Sequence, residues 1–272
     1  MSSNRTGRQI PASGAGGITP SVIVFDLDDT LVEDVSTAEA SFEAVGRQLG
    51  GREGQGVGPA MQDAARAVWR RGPHADLCMA LGLASREGLW ASFDGNHASL
   101  DGLREWIPAY RMEAWGAILA TVDLHDPDLI PAAQALFAEV QTRGHTPLPG
   151  ARETVRALAP GRRLGLLTNG PSDVQRLKLA RTGLTVLFDA VAISGEMGVG
   201  KPSAGAFEAV LTQLGAAPNE AVMVGDSWER DVEGAHSCGL PAVWIAWGRS
   251  VPAQLDGVTV IETIGELPGV LG

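Results

Sequence analysis

The stretch Val22–Leu31, VIVFDLDDTL, decides how the rest of the chain is organised. Its first four residues, VIVF, are apolar, and it then changes abruptly to a cluster that contains Asp26, Asp28 and Asp29. An apolar, β-branched run bounded by polar turn residues is typical of a strand buried on both faces. Carboxylates this close together repel one another unless a cation lies among them or the segment is a solvated turn. The stretch therefore predicts either a cation site at a strand end or an ordinary acidic turn.

The composition is that of a globular protein of one large or two smaller domains. The chain has 272 residues, of which 44% are hydrophobic and 19% are charged. The net charge of −11 argues against binding of a nucleic acid polymer, because such a surface needs a basic stripe. No apolar run approaches the length that spans a membrane, so we expect no membrane partner. Residues 1–19 lack the apolar core of a signal peptide and are interpreted as a flexible tail. Cys78 and Cys238 have no metal or redox spacing, which fits free thiols in a cytoplasmic protein.

The pattern divides the chain into a split α/β core and a helical insertion. Residues 35–147 show helical patterns without a convincing strand, and they predict an all-helical cap domain. Ser36 and Glu39 match a capping box that would begin its first helix. Strands alternate with helices afterwards, and such strands pair in parallel through right-handed crossovers. We therefore expect an α/β fold, a doubly wound parallel sheet built from residues 20–34 and 148–272. The later strands are predicted at Leu164–Leu167, Ala190–Ile193, Ala221–Val224 and Ala242–Ala246, with Val258–Ile261 as a short edge strand.

Polar side chains follow four of the predicted strands, at the point where each strand ends. They are Asp26 and Asp28, then Thr168 and Asn169, then Lys201 at the end of a glycine-rich loop, then Asp226 with Asp231. The carboxyl ends of parallel strands lie on one edge of a sheet, so these groups can converge. Each group taken singly is also compatible with an ordinary turn or helix cap. Their combination in this order predicts a functional site.

These four segments resemble the four motifs of the haloacid dehalogenase-like (HAD) hydrolase superfamily. DLDDTL resembles the first motif, D-x-D-x-T, and LLTNG at residues 166–170 resembles the second. The loop that ends in Lys201-Pro202 is similar to the third motif, and Gly225-Asp226 with Asp231 is similar to the fourth, G-D-x-x-x-x-D. The resemblance covers the whole core. A helical domain inserted after the first motif is similar to the C1 cap of subfamily IA phosphatases, which have a Rossmann-like core.

The resemblance implies a phosphatase that uses Mg²⁺. The Asp26 and Asp226 carboxylates and the Asp28 backbone carbonyl would be the protein ligands of the metal, which prefers oxygen. Asp26 would attack phosphorus and become an aspartyl-phosphate. Asp28 would protonate the leaving oxygen and then deprotonate the water that hydrolyses this intermediate.

The remaining motif residues are implied to act on the phosphoryl group. The Thr168 hydroxyl and the Asn169 amide would bind its oxygens. Lys201 would bind the phosphate and neutralise charge that develops in the transition state. Asp231 would orient Lys201 or a metal-bound water rather than bind the metal directly.

The expected substrate is a small phosphorylated metabolite of the sugar phosphate or nucleotide class, selected by the cap. One alternative is a phosphomutase on the same fold, in which the cap would shield the aspartyl-phosphate from water. Another is a non-catalytic phosphate-binding or phospho-accepting module, against which the acid/base group of Asp28 argues. Dehalogenase chemistry is disfavoured because relatives with that activity lack an acid at the position of Asp28. The sequence leaves the oligomeric state open.

Overall fold

The computed structural model describes residues 20–51, 55–95 and 97–272. The tail predicted for residues 1–19 lies outside these described residues. The strands are β1 (Val22–Phe25), β2 (Arg163–Thr168), β3 (Ala190–Ile193), β4 (Ala221–Gly225), β5 (Ala242–Ile245) and β6 (Val258–Ile261). Together they form one parallel sheet in the order β3-β2-β1-β4-β5-β6. This arrangement confirms the predicted doubly wound α/β fold and the edge position of the last strand.

The first strand lies in the middle of the sheet and pairs with both β2 and β4. All four of its residues are buried. Ile23 and Phe25 belong to the hydrophobic core on one face of the sheet, whereas Val22 and Val24 belong to the core on the other. Successive side chains of a strand point to opposite faces, so both faces of β1 are covered, as its apolar run predicts.

The segment between β1 and β2 is helical. Its helices are α1 (Val35–Leu49), α2 (Gly58–Arg70), α3 (Ala75–Leu81), α4 (Ser85–Gly88), α5 (Asp101–Ala120), α6 (Ile130–Gly144) and α7 (Ala151–Leu158). Helices α1 to α6 surround a third hydrophobic core, which is separate from the two cores of the sheet. We call α1 to α6 the helical block. The exact limits predicted for the cap domain, 35–147, stay a prediction.

The two chain crossings between the sheet and the helical block run side by side. Leu148 N–H donates to Leu31 O at 2.9 Å, and Glu33 N–H donates to Thr146 O at 3.0 Å. The chain therefore leaves the sheet and returns to it through one hydrogen-bonded pair of segments.

The capping box predicted at the start of the first helix is wrong. Helix α1 begins one residue earlier, at Val35, and Asp34 occupies its N-cap position without a side-chain capping bond. The Ser36 hydroxyl instead donates to Glu33 Oε2 at 3.0 Å. The physical reason is that the Asp34 carboxylate is engaged in buried ion pairs, described below, that draw it away from the helix end.

The helices that follow β2 cover the sheet and carry the loops of the site. They are α8 (Ser172–Thr182), α9 (Ser194–Met197), α10 (Ala204–Leu214), a π-helical turn (Trp228–Glu233) that continues into α11 (Gly234–Ser237), and α12 (Leu267–Leu271). None of the described helices is both long and apolar enough to cross a bilayer.

Candidate active site

The carboxyl ends of β1, β2 and β4 bring the predicted residues to one edge of the sheet. Phe25 of β1 is in register with Leu166 of β2 and with Val224 of β4. Asp26 follows directly, and its backbone N–H donates to Val224 O at 2.9 Å. Because β4 ends at Gly225, the side chain of Asp226 begins beside that of Asp26. The parallel register thus places carboxylates from two strands next to each other.

Both oxygens of the Asp26 carboxylate are held by neighbouring side chains. Lys201 Nζ donates to Asp26 Oδ1 at 2.6 Å, and the Thr30 hydroxyl donates to Oδ2 at 3.2 Å. Lys201 Nζ also donates to Asp231 Oδ1 at 2.6 Å, so one buried ammonium joins two carboxylates. Burial raises the pKa of Asp26, although the positive charge of Lys201 opposes this. Asp26 has a fixed orientation and remains 7% exposed.

The backbone around Lys201 is clamped by Asn169. The Asn169 amide donates to Lys201 O at 2.9 Å, and Lys201 N–H donates back to Asn169 Oδ1 at 2.9 Å. This pair of bonds ties the end of β2 to the glycine-rich loop. The predicted phosphate contact of Asn169 stays a prediction, and in this structure its side chain positions Lys201.

Two of the predicted metal ligands, Asp26 and Asp226, belong to a compact group of carboxylates that also includes Asp231. One oxygen from each of Asp26, Asp226 and Asp231 lies within 4.8 Å of the other two. Burial raises the pKa of Asp226 to about 8, and the negative charges of Asp26 and Asp231 add to this effect. Hard carboxylate oxygens are the ligands that Mg²⁺ prefers, so this donor set fits the metal that the sequence predicts.

The geometry of the fourth motif depends on the close packing of Asp231 against Gly225 and on the π-helical turn. A side-chain carbon at Gly225 would lie 2.2 Å from Asp231 Oδ2, so only glycine leaves room for this carboxylate. The Ser227 N–H donates to Asp231 Oδ2 at 2.9 Å, which leaves Oδ1 for Lys201. The sequence predicts a helix from about residue 229, but it does not reveal the π-helical turn that carries Asp231.

Asp28 faces a second lysine that sequence analysis assigns to no role. Lys178 Nζ donates to Asp28 Oδ1 at 2.8 Å, and Gln175 Nε2 donates to Asp28 Oδ2 at 3.0 Å. Burial raises the pKa of Asp28, while the charge of Lys178 opposes the rise. Lys178 and Lys201 are the only lysines of the chain, and this scarcity is the one signal in the sequence that points to Lys178.

Thr168 contacts Gln175 next to the predicted acid/base. Its side chain is buried, and its hydroxyl accepts a hydrogen bond from Gln175 Nε2 at 2.6 Å. Because the same amide nitrogen also contacts Asp28, Thr168 supports the group that holds the predicted acid/base. Its predicted contact with a phosphoryl oxygen stays a prediction.

Two further groups at the site come from segments without a clear sequence pattern. Arg249, beyond the end of β5, pairs with Asp226 through Nη2 and Oδ2 at 3.2 Å, and it lies over the Trp244 ring. Trp247 Nε1 donates to Asp29 O at 3.0 Å. These contacts attach the chain after β5 to the first and fourth motifs.

The helical block reaches the site through Asp34 and Arg86. Asp34 is 2% exposed; its Oδ1 accepts from Lys178 Nζ at 2.7 Å, and its Oδ2 pairs with the Arg86 guanidinium from α4. Burial alone would raise the pKa of Asp34, but Arg86 and Lys178 hold it well below its usual range. Asp28, Lys178, Asp34 and Arg86 therefore form one chain of buried charges that joins the sheet edge to the helical block.

A cavity of about 410 Å³ lies between the sheet edge and the helical block. Asp26, Asp28, Lys201 and Asp226 line its core side, and cap-side residues including Met79 and Leu83 face them. Glu87 also lines it; burial raises the pKa of this carboxyl to about 7, while the nearby charge of Arg86 opposes the shift. The volume is within the range of sites for small organic ligands, roughly 300–1,000 Å³.

A parallel sheet in this order, with carboxylates and a buried lysine at the carboxyl edge of its central strands, defines an α/β protein with a candidate active site beneath a helical cap. The family model described as haloacid dehalogenase-like hydrolase matches residues 20–239, and the chain belongs to this family. The family membership predicted from the four motifs is thereby confirmed.

Several relatives of the chain are phosphatases. The chain is 36% identical over 229 residues to the phosphoserine phosphatase of Thermus thermophilus, covering 84% of this chain and 89% of the relative. It is 38% identical over 128 residues to the pyrimidine 5'-nucleotidase YjjG of Escherichia coli, covering 46% of this chain and 57% of that protein. The HAD-hydrolase YfnB of Bacillus subtilis, solved with magnesium, has the same fold, with a TM-score of 0.61, 21% identity and coverage of 93% and 99%. The chain is an enzyme, a phosphatase of the HAD family.

Proposed function

We propose that this phosphatase is a Mg²⁺-dependent phosphomonoester hydrolase that works through an aspartyl-phosphate on Asp26. The observation that carries the proposal is the setting of Asp26. Its carboxylate ends the central strand, contacts Lys201 Nζ at 2.6 Å, and lies within 4.8 Å of carboxylate oxygens from Asp226 and Asp231. A phosphate monoester is dianionic, so a carboxylate can attack it only where cations offset the charge.

The proposed metal site uses the Asp26 and Asp226 carboxylates together with the backbone carbonyl of Asp28. Bound Mg²⁺ would supply positive charge that lets the phosphoryl group approach Asp26. The rest of the site is built from this chain's own groups. Lys201, which is held in place by Asn169 and Asp231, carries a second positive charge beside the nucleophile. This fixed ammonium is placed to stabilise charge on the phosphoryl oxygens in the transition state.

Asp28 is the proposed general acid and base. Burial raises its pKa, so Asp28 takes up a proton more readily than an exposed aspartate, and the protonated carboxyl is the form that can donate to the leaving oxygen. The carboxylate left after this step is the base for the water that attacks the aspartyl-phosphate. Lys178 and Gln175 each hold one oxygen of Asp28, so the group is positioned before the substrate binds. Preorganisation of this kind removes the cost of ordering the acid during the reaction.

The proposed substrate class is a sugar phosphate, a nucleotide or a metabolite of similar size. The cavity of about 410 Å³ supports this class because it can enclose a small phosphate ester. Two relatives are named a phosphoserine phosphatase and a pyrimidine 5'-nucleotidase, and the substrates in these names are small phosphate esters of similar size.

The test compares Asp26→Asn with Asp28→Asn by rapid-quench mass spectrometry, with p-nitrophenyl phosphate as substrate. Asp26→Asn removes the nucleophilic carboxylate, so we expect no covalent phosphate and no turnover. Asp28→Asn keeps the nucleophile, and this substrate has a good leaving group that needs little protonation. That variant should therefore accumulate phospho-enzyme, because dephosphorylation still lacks its base.

Two results would contradict the assigned roles. Covalent phosphate on the Asp26→Asn protein would show that another residue is the nucleophile. An Asp28→Asn variant as fast as the wild type would show that Asp28 is not the acid/base. A requirement for a bisphosphorylated sugar as activator would instead favour the phosphomutase alternative.

A further inference from the structure

A second cavity, of about 540 Å³, lies beside the first one and is lined mostly by the helical block. The two cavities have part of their walls in common. Residues that line both are Met79, Leu83, Ala84, Arg86 and Arg230. The second cavity therefore lies directly beside the one that contains Asp26.

The second cavity is positively charged in a chain whose net charge is −11. Four arginines line it, and they are Arg66, Arg70, Arg86 and Arg230. Asp76 is the one acidic residue among its lining residues. Arg66 and Arg70 belong to α2, Arg86 to α4, and Arg230 to the π-helical turn, so three separate elements direct cationic residues towards one space.

Two of these arginines repel each other. Arg66 and Arg70 are four residues apart on α2, and like charges at this spacing repel each other across one turn. An anion in the cavity would offset this repulsion.

Two of the arginines are free to bind such an anion. Arg86 is paired with Asp34, and Arg66 is paired with Asp63. Arg70 and Arg230 are exposed, and their guanidinium groups form no ion pair or hydrogen bond with any of the described residues. Arg70 belongs to the helical block and Arg230 to the core, so the two side chains can bind a ligand from opposite sides. Trp69, which is 7% exposed, and Leu83 provide apolar wall for its carbon atoms.

We propose that the second cavity binds an anionic group of the substrate that is remote from the phosphate to be hydrolysed. The substrate is then a phosphomonoester with a second negative group, either a carboxylate or a second phosphate. Guanidinium groups bind both through charge-assisted hydrogen bonds. This inference rests on the proposed function, because it assumes that the first phosphate binds at Asp26.

The test uses pairs of esters that differ in the second anion. Phosphoserine is compared with phosphoethanolamine, and 3-phosphoglycerate with glycerol 3-phosphate; each pair differs by a carboxylate. Fructose 1,6-bisphosphate is compared with fructose 6-phosphate, a pair that differs by a phosphate. The preference is the ratio of kcat/KM within a pair, measured for the wild type and for the Arg70→Gln and Arg230→Gln variants. Arg47→Gln is the matched control, because Arg47 is an exposed arginine of α1 that lines neither cavity.

We expect the wild type to prefer the anionic member of at least one pair by about tenfold or more, the effect of one charge-assisted hydrogen bond. Each of Arg70→Gln and Arg230→Gln should lower that preference several-fold, mainly through KM, and Arg47→Gln should leave it unchanged. The carboxylate pairs and the phosphate pair show which anion is bound.

Three outcomes would overturn the inference. The first is a ratio near one for every pair in the wild type, with p-nitrophenyl phosphate still hydrolysed. The second is a preference that neither cavity variant reduces. The third is a failure to hydrolyse any ester, p-nitrophenyl phosphate included, in the presence of Mg²⁺. That last result would overturn the proposed function as well, so the two failures can be told apart.

Discussion

Replacing Asp34 by Asn should break the chain of buried charges that joins the helical block to the sheet edge. Asp34 is 2% exposed, contacts Lys178 Nζ at 2.7 Å and pairs with Arg86. The amide has nearly the same shape but no charge, so two buried cations would each lose a partner. Breaking one buried ion pair by removing a partner typically costs about 3–5 kcal/mol. This is a large part of the ~5–15 kcal/mol by which a typical domain is stable.

Urea unfolding at pH 7, followed by fluorescence, measures this loss. With a slope of about 3 kcal/mol per M of urea, a cost of 3–5 kcal/mol lowers the midpoint by roughly 1–2 M. The matched control is Asp101→Asn, which breaks an exposed pair with Arg104 and should cost less than about 1 kcal/mol. An Asp34→Asn cost as small as that of the control would refute the idea that this ion pair network holds the two parts together.

The pH dependence provides a second check on the same variant. The pKa of Asp34 is held well below its usual range in the folded protein, so its charge stabilises the folded state above the pKa of the unfolded chain, about 3.9. That stabilisation is lost as the pH falls from about 4 through the folded-state pKa. The difference in unfolding free energy between wild type and Asp34→Asn should narrow as the pH falls below about 4. A difference that stays constant to pH 3 would contradict this argument.

Three further predictions concern the proposed reaction and the cavity wall. EDTA should abolish hydrolysis of p-nitrophenyl phosphate and Mg²⁺ should restore it, whereas full activity in a metal-free preparation would exclude the metal site. Lys178→Met removes one of the two groups that hold Asp28. Because acid/base catalysis contributes ~10²–10⁴-fold, kcat should fall by up to that factor with alkyl phosphates and by less with p-nitrophenyl phosphate; equal losses would show that the effect is not on Asp28. Ionising buried Glu87, whose pKa is raised to about 7, costs free energy, so the Tm of Glu87→Gln should rise relative to wild type as the pH increases from about 4.5 to 7 and should level off above that, and a difference that stays constant from pH 4.5 to 7 would refute this.

Local patterns were sufficient to predict the fold and the place of the site. The alternation of strands and helices predicts the parallel sheet, because each strand signal spans only a few residues and each ends at a turn residue. The same signals locate the strand ends, and the geometry of a parallel sheet brings those ends to one edge. Asp26, Lys201, Asp226 and Asp231 can therefore be predicted to lie close together before any coordinates are known, and the structure places them so.

The partners of Asp28 and Asp34 could not be predicted in this way. Lys178 lies 150 residues after Asp28 and 144 after Asp34, on a helix whose local pattern shows nothing unusual. The incorrect capping box has the same cause, since Ser36 and Glu39 satisfy the local rule but long-range ion pairs of Asp34 decide the geometry. Arg249 was missed because its contact with Asp226 depends on the path of a loop beyond β5. Contacts of this kind depend on tertiary packing and have no short-range signature.

The central position of β1 has a consequence for the order in which the protein can assemble. Its two neighbours in the sheet, β2 and β4, begin at Arg163 and Ala221, and the whole helical block is synthesised between β1 and β2. Pairings across such long separations in sequence are slow to form, and a growing chain generally folds from its N-terminus onwards. During synthesis the helical block can collapse around its own core while the apolar strand that will carry the nucleophile still lacks both neighbours. An unpaired apolar strand is prone to associate with other chains, so we expect chains that end before Ala221 to aggregate, whereas chains that extend beyond β4 can close the sheet.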